Sequence, residues 1–148
     1  MNEKFDPLRL EHQLCFRLYS ASRNMTRIYQ PILEKYGLTY PQYILMMILF
    51  EQNTIDFKKL SKVIDLTTAT LTPIVKKLES EGYLIKEKNP VDGRKINVVI
   101  TDKGWELKKE LYHVPMDLAG QIGLDEVHYK VLVEELDHLI AKLQNNDA

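Results

Sequence analysis

Hydrophobic and polar positions along this chain change period twice, from 3.6 to 2 and back again. From Leu8 to about Tyr29, Leu14, Leu18, Ala21 and Met25 recur at spacings of three and four, the mark of an amphipathic helix. Pro31 is expected to break that helix, and Gly37 to end a short second one. A third follows Pro41 through "QYILMMILFEQ", whose apolar run is too dense for a surface helix and predicts burial. The stretch "FKKLSKVI" reads as a short helix, and "DLTTATLTPIVKKLESEG" as the next. In the latter, Leu71, Ile74, Val75 and Leu78 share one face, while Ala69, Thr72, Pro73, Lys76, Lys77 and Ser80 lie opposite. Gly82 is a stop signal. Two starts stay open. With Thr70 as N-cap, Pro73 sits in the first turn at no cost; with a start near Thr68, Pro73 removes a hydrogen bond.

After Gly82 the pattern alternates. "YLIKEK" and "INVVIT" predict two strands, the second with Ile96, Val98 and Ile100 on one face and Asn97 and Val99 on the other. The Pro and Asp-Gly of "NPVDGRK" make this a hairpin with a basic tip. Thr101 reads as the N-cap of "DKGWELKKELYHV". Pro115, Gly120 and Gly123 mark a kink and a break, and a last helix is expected from about Asp125 to Gln144, striped by Leu132, Leu136, Leu139 and Leu143. Helix, turn, helix, hairpin is the winged helix-turn-helix order. The expected fold is mainly α with a small β-hairpin wing.

Composition adds location and charge. The 148 residues suffice for one domain. The chain opens on "MNEKFDPLRLEHQLCF", which is charged and lacks an apolar h-region, so no signal peptide is expected. No stretch approaches the ~18 apolar residues of a membrane span. One cysteine excludes an internal disulfide framework and fits a reducing compartment. A cytoplasmic protein without membrane association is therefore expected. Net charge is −1, but Phe57 to Lys95 carries nine Lys and Arg against five Asp and Glu, a net +4 that leaves −5 for the rest. A basic centre between acidic arms points to a polyanion. A helix offering threonines and lysines outward fits the ~12 Å major groove of double-stranded DNA. The candidate contacts are Thr68, Ala69, Thr70, Thr72, Pro73, Lys76 and Lys77, with Arg94 and Lys95 at the hairpin tip reaching a minor groove.

The segments "LTYPQY", "TLTPIVKKLESEGYLIKEKNPVDGRK" and "ITDKG" resemble the MarR family of dimeric winged-helix transcription regulators over nearly the whole chain. "QLCFRLY", from Gln13 to Tyr19, is most similar to its single-cysteine branch, the organic hydroperoxide-resistance regulators. That resemblance implies one domain in an intertwined homodimer, with 1–36 and 103–148 as dimerisation helices and 39–101 as the winged helix-turn-helix lobe. It implies a pseudo-palindromic operator and a repressor released by oxidation. It also implies that Asp92 buttresses Arg94. One feature departs from the branch, which commonly has an acidic residue, Ser and Gly before "TLTP". Here stand Thr67, Thr68 and Ala69, so base preference or affinity is expected to differ.

Cys15 divides the functional readings. As a free cysteine on a helix it serves as core filling or as a reactive thiol. His12, three residues earlier, and Tyr19, one turn later, are the local features favouring a thiolate. The resemblance implies a redox-sensing set of Cys15, Tyr29 and Tyr40, with Tyr19 nearby and the tyrosines acting across the dimer interface. An oxidised Cys15 then takes a low-molecular-weight thiol, a backbone nitrogen or further oxygen. Two other readings stay open: a regulator with an inert Cys15 and a small aromatic ligand between dimer arms and DNA-binding lobes, and a thiol peroxidase. No Thr and Arg set is arranged beside Cys15 as a peroxidase needs, and there is no resolving Cys, so no enzyme is expected. His12, His113, His128 and His138 show no close ligand pair, so neither metal nor cofactor is expected.

Overall fold

The first helix starts and ends later than its pattern predicts. The computed structural model describes residues 6–146. Leu10–His12 form a single 3-10 turn, Gln13 is extended, and α1 runs Leu14–Glu34. It passes through Pro31 without breaking. Proline forfeits one i→i−4 bond there, but Ile32 and Leu33 beyond it are buried. Burying two such side chains outweighs one hydrogen bond, at about 1.5–3 kcal/mol each against about 1 kcal/mol.

Helix α2, Tyr40–Gln52, opens on a capping box. The Gln42 amide donates to Thr39 Oγ1 (3.4 Å) and the Thr39 amide donates to Gln42 Oε1 (3.0 Å). Its dense apolar run is buried as expected, with Tyr43, Leu45, Met46 and Leu49 at its centre. A short strand β1, Thr54–Asp56, then precedes α3, Phe57–Ile64. Asp65 ends α3 in the left-handed region (φ 57°), which Asp tolerates. Helix α4 spans Thr68–Ser80. Its cap is Thr67, whose hydroxyl accepts from the Thr70 amide at 3.2 Å, so the earlier of the two starts is the one adopted. Pro73 lies inside α4, and the fully buried Leu71, Val75 and Leu78 carry the helix across it.

Strands β2, Leu84–Lys88, and β3, Ile96–Ile100, form the expected antiparallel hairpin, Leu84 facing Ile100 and Lys88 facing Ile96. The sheet has a third member: β1 pairs along the other edge of β3, giving the order β1-β3-β2. Three residues are too few for a visible alternation, which is why the sequence pattern shows a hairpin alone. Helix α5, Asp102–Leu111, is capped by Thr101 through the Gly104 amide (3.1 Å) and adds Leu107 and Leu111 to the core.

The chain divides into two compact units at Val114–Pro115. The first holds the core formed by α1–α5 and the sheet. Helix α6, Val114–Ile122, crosses the boundary, and α7, Glu126–Asn145, lies in the second unit, capped by Asp125. No residue of α7 is buried. Leu132 and Leu143 of its apolar stripe are exposed, and Leu136 and Leu139 are half-buried. No helix is long and apolar enough to cross a membrane among the described residues.

Candidate nucleic-acid interface and thiol site

The buried stripe of α4 leaves its opposite face to solvent. With Leu71, Val75 and Leu78 turned into the core, Thr68, Ala69, Thr70, Thr72, Pro73, Lys76 and Lys77 are all exposed. Thr72 Oγ1 donates to the Thr68 carbonyl (2.7 Å). Lys77 pairs one turn on with Glu81 (3.1 Å), a solvated contact that a phosphate can displace at little cost. Lys86, on β2, similarly pairs with Glu79 (3.5 Å).

The hairpin tip is tightly organised. Asn89 Oδ1 accepts from the amides of Val91 (2.9 Å) and Asp92 (3.1 Å). Asp92 Oδ1 accepts from the Arg94 amide (3.1 Å) and from Arg94 Nε (3.2 Å). The amide bond first, and then the guanidinium, hold the Asp92 carboxyl below the usual carboxylate range. The Arg94 side chain is 93% exposed. A cleft of about 490 Å³ separates α4 from the wing, lined by Thr72 on one side and Lys86, Arg94 and Lys95 on the other, with Phe57 at its wall. Lys58, Lys86, Arg94 and Lys95 outnumber the carboxylates of Asp56 and Asp92 along this cleft, and the positive excess suits a sugar-phosphate backbone.

Cys15 is the second residue of α1 and is exposed. Tyr19, one turn later, is exposed as well, and its hydroxyl accepts from Arg23 (3.0 Å). His12 Nδ1 lies 2.7 Å from the Asp6 carbonyl and its Nε2 3.7 Å from Glu11. Tyr29 and Tyr40 meet, their ring centroids 4.8 Å apart, and Tyr43 joins Tyr29 at 5.7 Å. Burial raises the Tyr40 pKa, keeping its hydroxyl a donor at neutral pH. Cys15 is not part of this cluster in one chain: Tyr29 lies fourteen residues further along the same helix, about 21 Å at 1.5 Å per residue. Two residues, Tyr43 and Asn89, do not stand out in the sequence pattern. Tyr43 lies among the core residues of α2. Asn89 stands at a strand end, where Asn commonly caps a turn, and that is its one local signal. Among the described residues, no group of three or more His, Cys, Asp or Glu is placed to hold a metal ion.

A helix-turn-helix with a basic wing defines a winged-helix regulator. The model of the SarA/Rot transcriptional regulators matches residues 27–111. The organic hydroperoxide resistance transcriptional regulator of Bacillus subtilis is 38% identical over 120 residues, 81% of this chain and 82% of that one. The structure of reduced AbfR bound to DNA superposes with a TM-score of 0.75 at 30% identity, covering 91% of this chain and 94% of the other; the overoxidised AbfR bound to DNA gives 0.73 at 31%, covering 91% and 95%. AbfR comes from Staphylococcus epidermidis. Sco3205, a MarR family regulator from Streptomyces coelicolor solved with DNA, gives 0.81 at 25%, covering 97% and 94%. The chain belongs to the SarA/Rot and MarR-type family of winged-helix transcriptional regulators.

Proposed function

We propose that this chain is a homodimeric repressor that binds double-stranded DNA through α4 and the wing, and that oxidation of Cys15 by an organic hydroperoxide releases it. The observation that carries the reading is the placement of Cys15. It is exposed on a helix whose Leu14, Phe16 and Met25 are also exposed, about 21 Å along that helix from the Tyr29–Tyr40 pair. A second copy packed on this apolar face would bring its own tyrosine pair to the thiol. The apolar side chains left exposed on α7 are a second surface that a partner copy would cover. The 38% identity to an organic hydroperoxide resistance regulator supports the same chemistry.

The step balances without a cofactor. The Cys15 thiolate attacks the terminal oxygen of the hydroperoxide, the O–O bond breaks, and the alkoxide takes a proton and leaves as the alcohol. Sulfur loses two electrons and becomes a sulfenic acid. Tyrosine hydroxyls that donate to the thiolate lower its energy beforehand. The sulfenic acid no longer accepts those bonds in the same way, so the interface repacks and the spacing of the two α4 helices is lost. A low-molecular-weight thiol then displaces water from the sulfenic acid, forming a mixed disulfide. A hollow of about 300 Å³ lined by Leu10, Glu11, Phe16 and Arg17 adjoins the Cys15 turn and suits the organic part of the oxidant.

The test is DNA binding with and without cumene hydroperoxide for the parent, Cys15→Ser, Tyr29→Phe and Tyr40→Phe. The parent is released. Cys15→Ser binds normally and stays bound, since serine keeps the shape without forming an anion near neutral pH. Each Tyr→Phe change slows oxidation without abolishing DNA binding, because a hydrogen bond to a charged group contributes about 1.5–3 kcal/mol. Release of Cys15→Ser by peroxide, or an unmodified Cys15 in the released parent, sinks the reading. The second reading then takes over: a regulator with an inert Cys15 that responds to a small aromatic ligand between the dimer arms and the DNA-binding lobes.

A further inference from the structure

We propose that Asn89 is a positioning residue for the wing arginine: through Asp92 it presets the tip so that Arg94 meets DNA already oriented. The inference rests on the reading above that the wing contacts DNA. The hydrogen bonds form a relay in one direction. Asn89 Oδ1 takes the Val91 and Asp92 amides, which fixes the backbone that carries the Asp92 carboxylate. Asp92 Oδ1 in turn takes the Arg94 amide and Nε. Backbone bonds close the turn around the relay, the Asn89 amide donating to the Lys95 carbonyl (2.9 Å) and the Lys95 amide to the Asp92 carbonyl (3.0 Å). Asn89 is itself tied to the sheet, its Nδ2 lying 3.5 Å from Asn97 Oδ1 on β3.

The turn needs such a device. Gly93 separates Asp92 from Arg94 and is the residue freest to move. Val91 is 95% exposed, so no apolar packing holds the tip. An Arg94 side chain that is 93% exposed has no wall to fix its direction. Its direction is set by the one guanidinium nitrogen clasped by Asp92, which leaves the terminal nitrogens as the donors a groove would meet. Asp92 performs that task only while its backbone is held, and the acceptor holding it is Asn89. Asn rather than Asp suits the position, because an added carboxylate would face phosphates. Without Asn89, ordering Pro90 to Gly93 becomes a cost of binding.

A double-mutant cycle tests this on the full chain. The probe is the duplex that the parent most enriches from a random pool, titrated by fluorescence anisotropy at constant salt. Asn89→Ala weakens binding about 5- to 10-fold, a fraction of the loss for an arginine contact. In an Arg94→Ala background the same change costs less than about twofold, because the arginine it orients is gone. Asn89→Ser, whose hydroxyl accepts the same two amides, binds within about threefold of the parent. The unfolding midpoint of Asn89→Ala equals the parent's. Four results overturn the inference: parent-like binding by Asn89→Ala, an undiminished loss in the Arg94→Ala background, no recovery with Ser, or a lowered midpoint, which would make Asn89 a support of the fold. If Arg94→Ala itself binds like the parent, the wing contact fails and the inference with it; if only Asn89→Ala is silent, the wing contact stands alone.

Discussion

Asp92 shows how one side chain converts a turn into a recognition element. It accepts two bonds from Arg94, and both favour the charged carboxylate, so its folded-state pKa lies below the unfolded value of about 3.9. A depressed carboxyl contributes its clasp fully above the unfolded pKa and loses it as pH falls through the folded one. The tip is therefore expected to keep one structure from pH 8 down to about 5 and to loosen only in stronger acid. A carbon-detected NMR titration of the Asp92 carboxyl measures this. A midpoint at or above the ordinary aspartate value contradicts the clasp. Arg94 was legible in the basic tip of "NPVDGRK", and the family resemblance implied that Asp92 buttresses it. Asn89 was not legible, since its two bonds go to backbone amides whose directions only the folded turn defines.

At the scale of elements, α5 meets the sheet at Gly104. A Cβ there would lie 2.5 Å from the Tyr83 carbonyl oxygen and 2.5 Å from Ile100 Cγ1. Backbone cannot yield as a flexible side chain does, so the helix must shift. Gly104→Ala is expected to destabilise the fold by about 1–3 kcal/mol despite alanine's better helix propensity. Urea unfolding reads the difference, and a more stable variant shows that α5 has slack. The residue reads as an unfavourable glycine in a helix until the close approach is known. Pro31 and Pro73 carry the complementary lesson. Each is a breaker by local rules, and each is overridden by buried residues on its C-terminal side.

For the whole molecule, the apolar side chains left exposed on α1 and α7 are the quantity to explain. Val127, Val131, Leu132, Ile140 and Leu143 of α7 are all exposed in the single chain. Sedimentation is expected to give a dimer, and Leu132→Lys with Leu143→Lys to give a monomer that has lost DNA affinity. A two-fold dimer requires half-sites about one helical turn apart. Its affinity is expected to fall steeply with salt as Lys76, Lys77, Arg94 and Lys95 displace counterions. A parent that binds as a monomer, or with affinity indifferent to salt, contradicts this.

The sequence by itself determined the helix, turn, helix, hairpin order of the central segment and the two sides of α4. Period and turn chemistry are local properties, and Leu71, Val75 and Leu78 declare which face is buried wherever the helix is placed. It also singled out Cys15, since a lone cysteine is conspicuous whatever surrounds it. Only the tertiary structure decided how far α1 runs, that a three-residue strand completes the sheet, that Gly104 stands where a methyl group cannot, and that Tyr43 joins Tyr29 and Tyr40. Each of these depends on contacts between residues distant in the chain, whose energies outweigh the local preferences that a sequence pattern records.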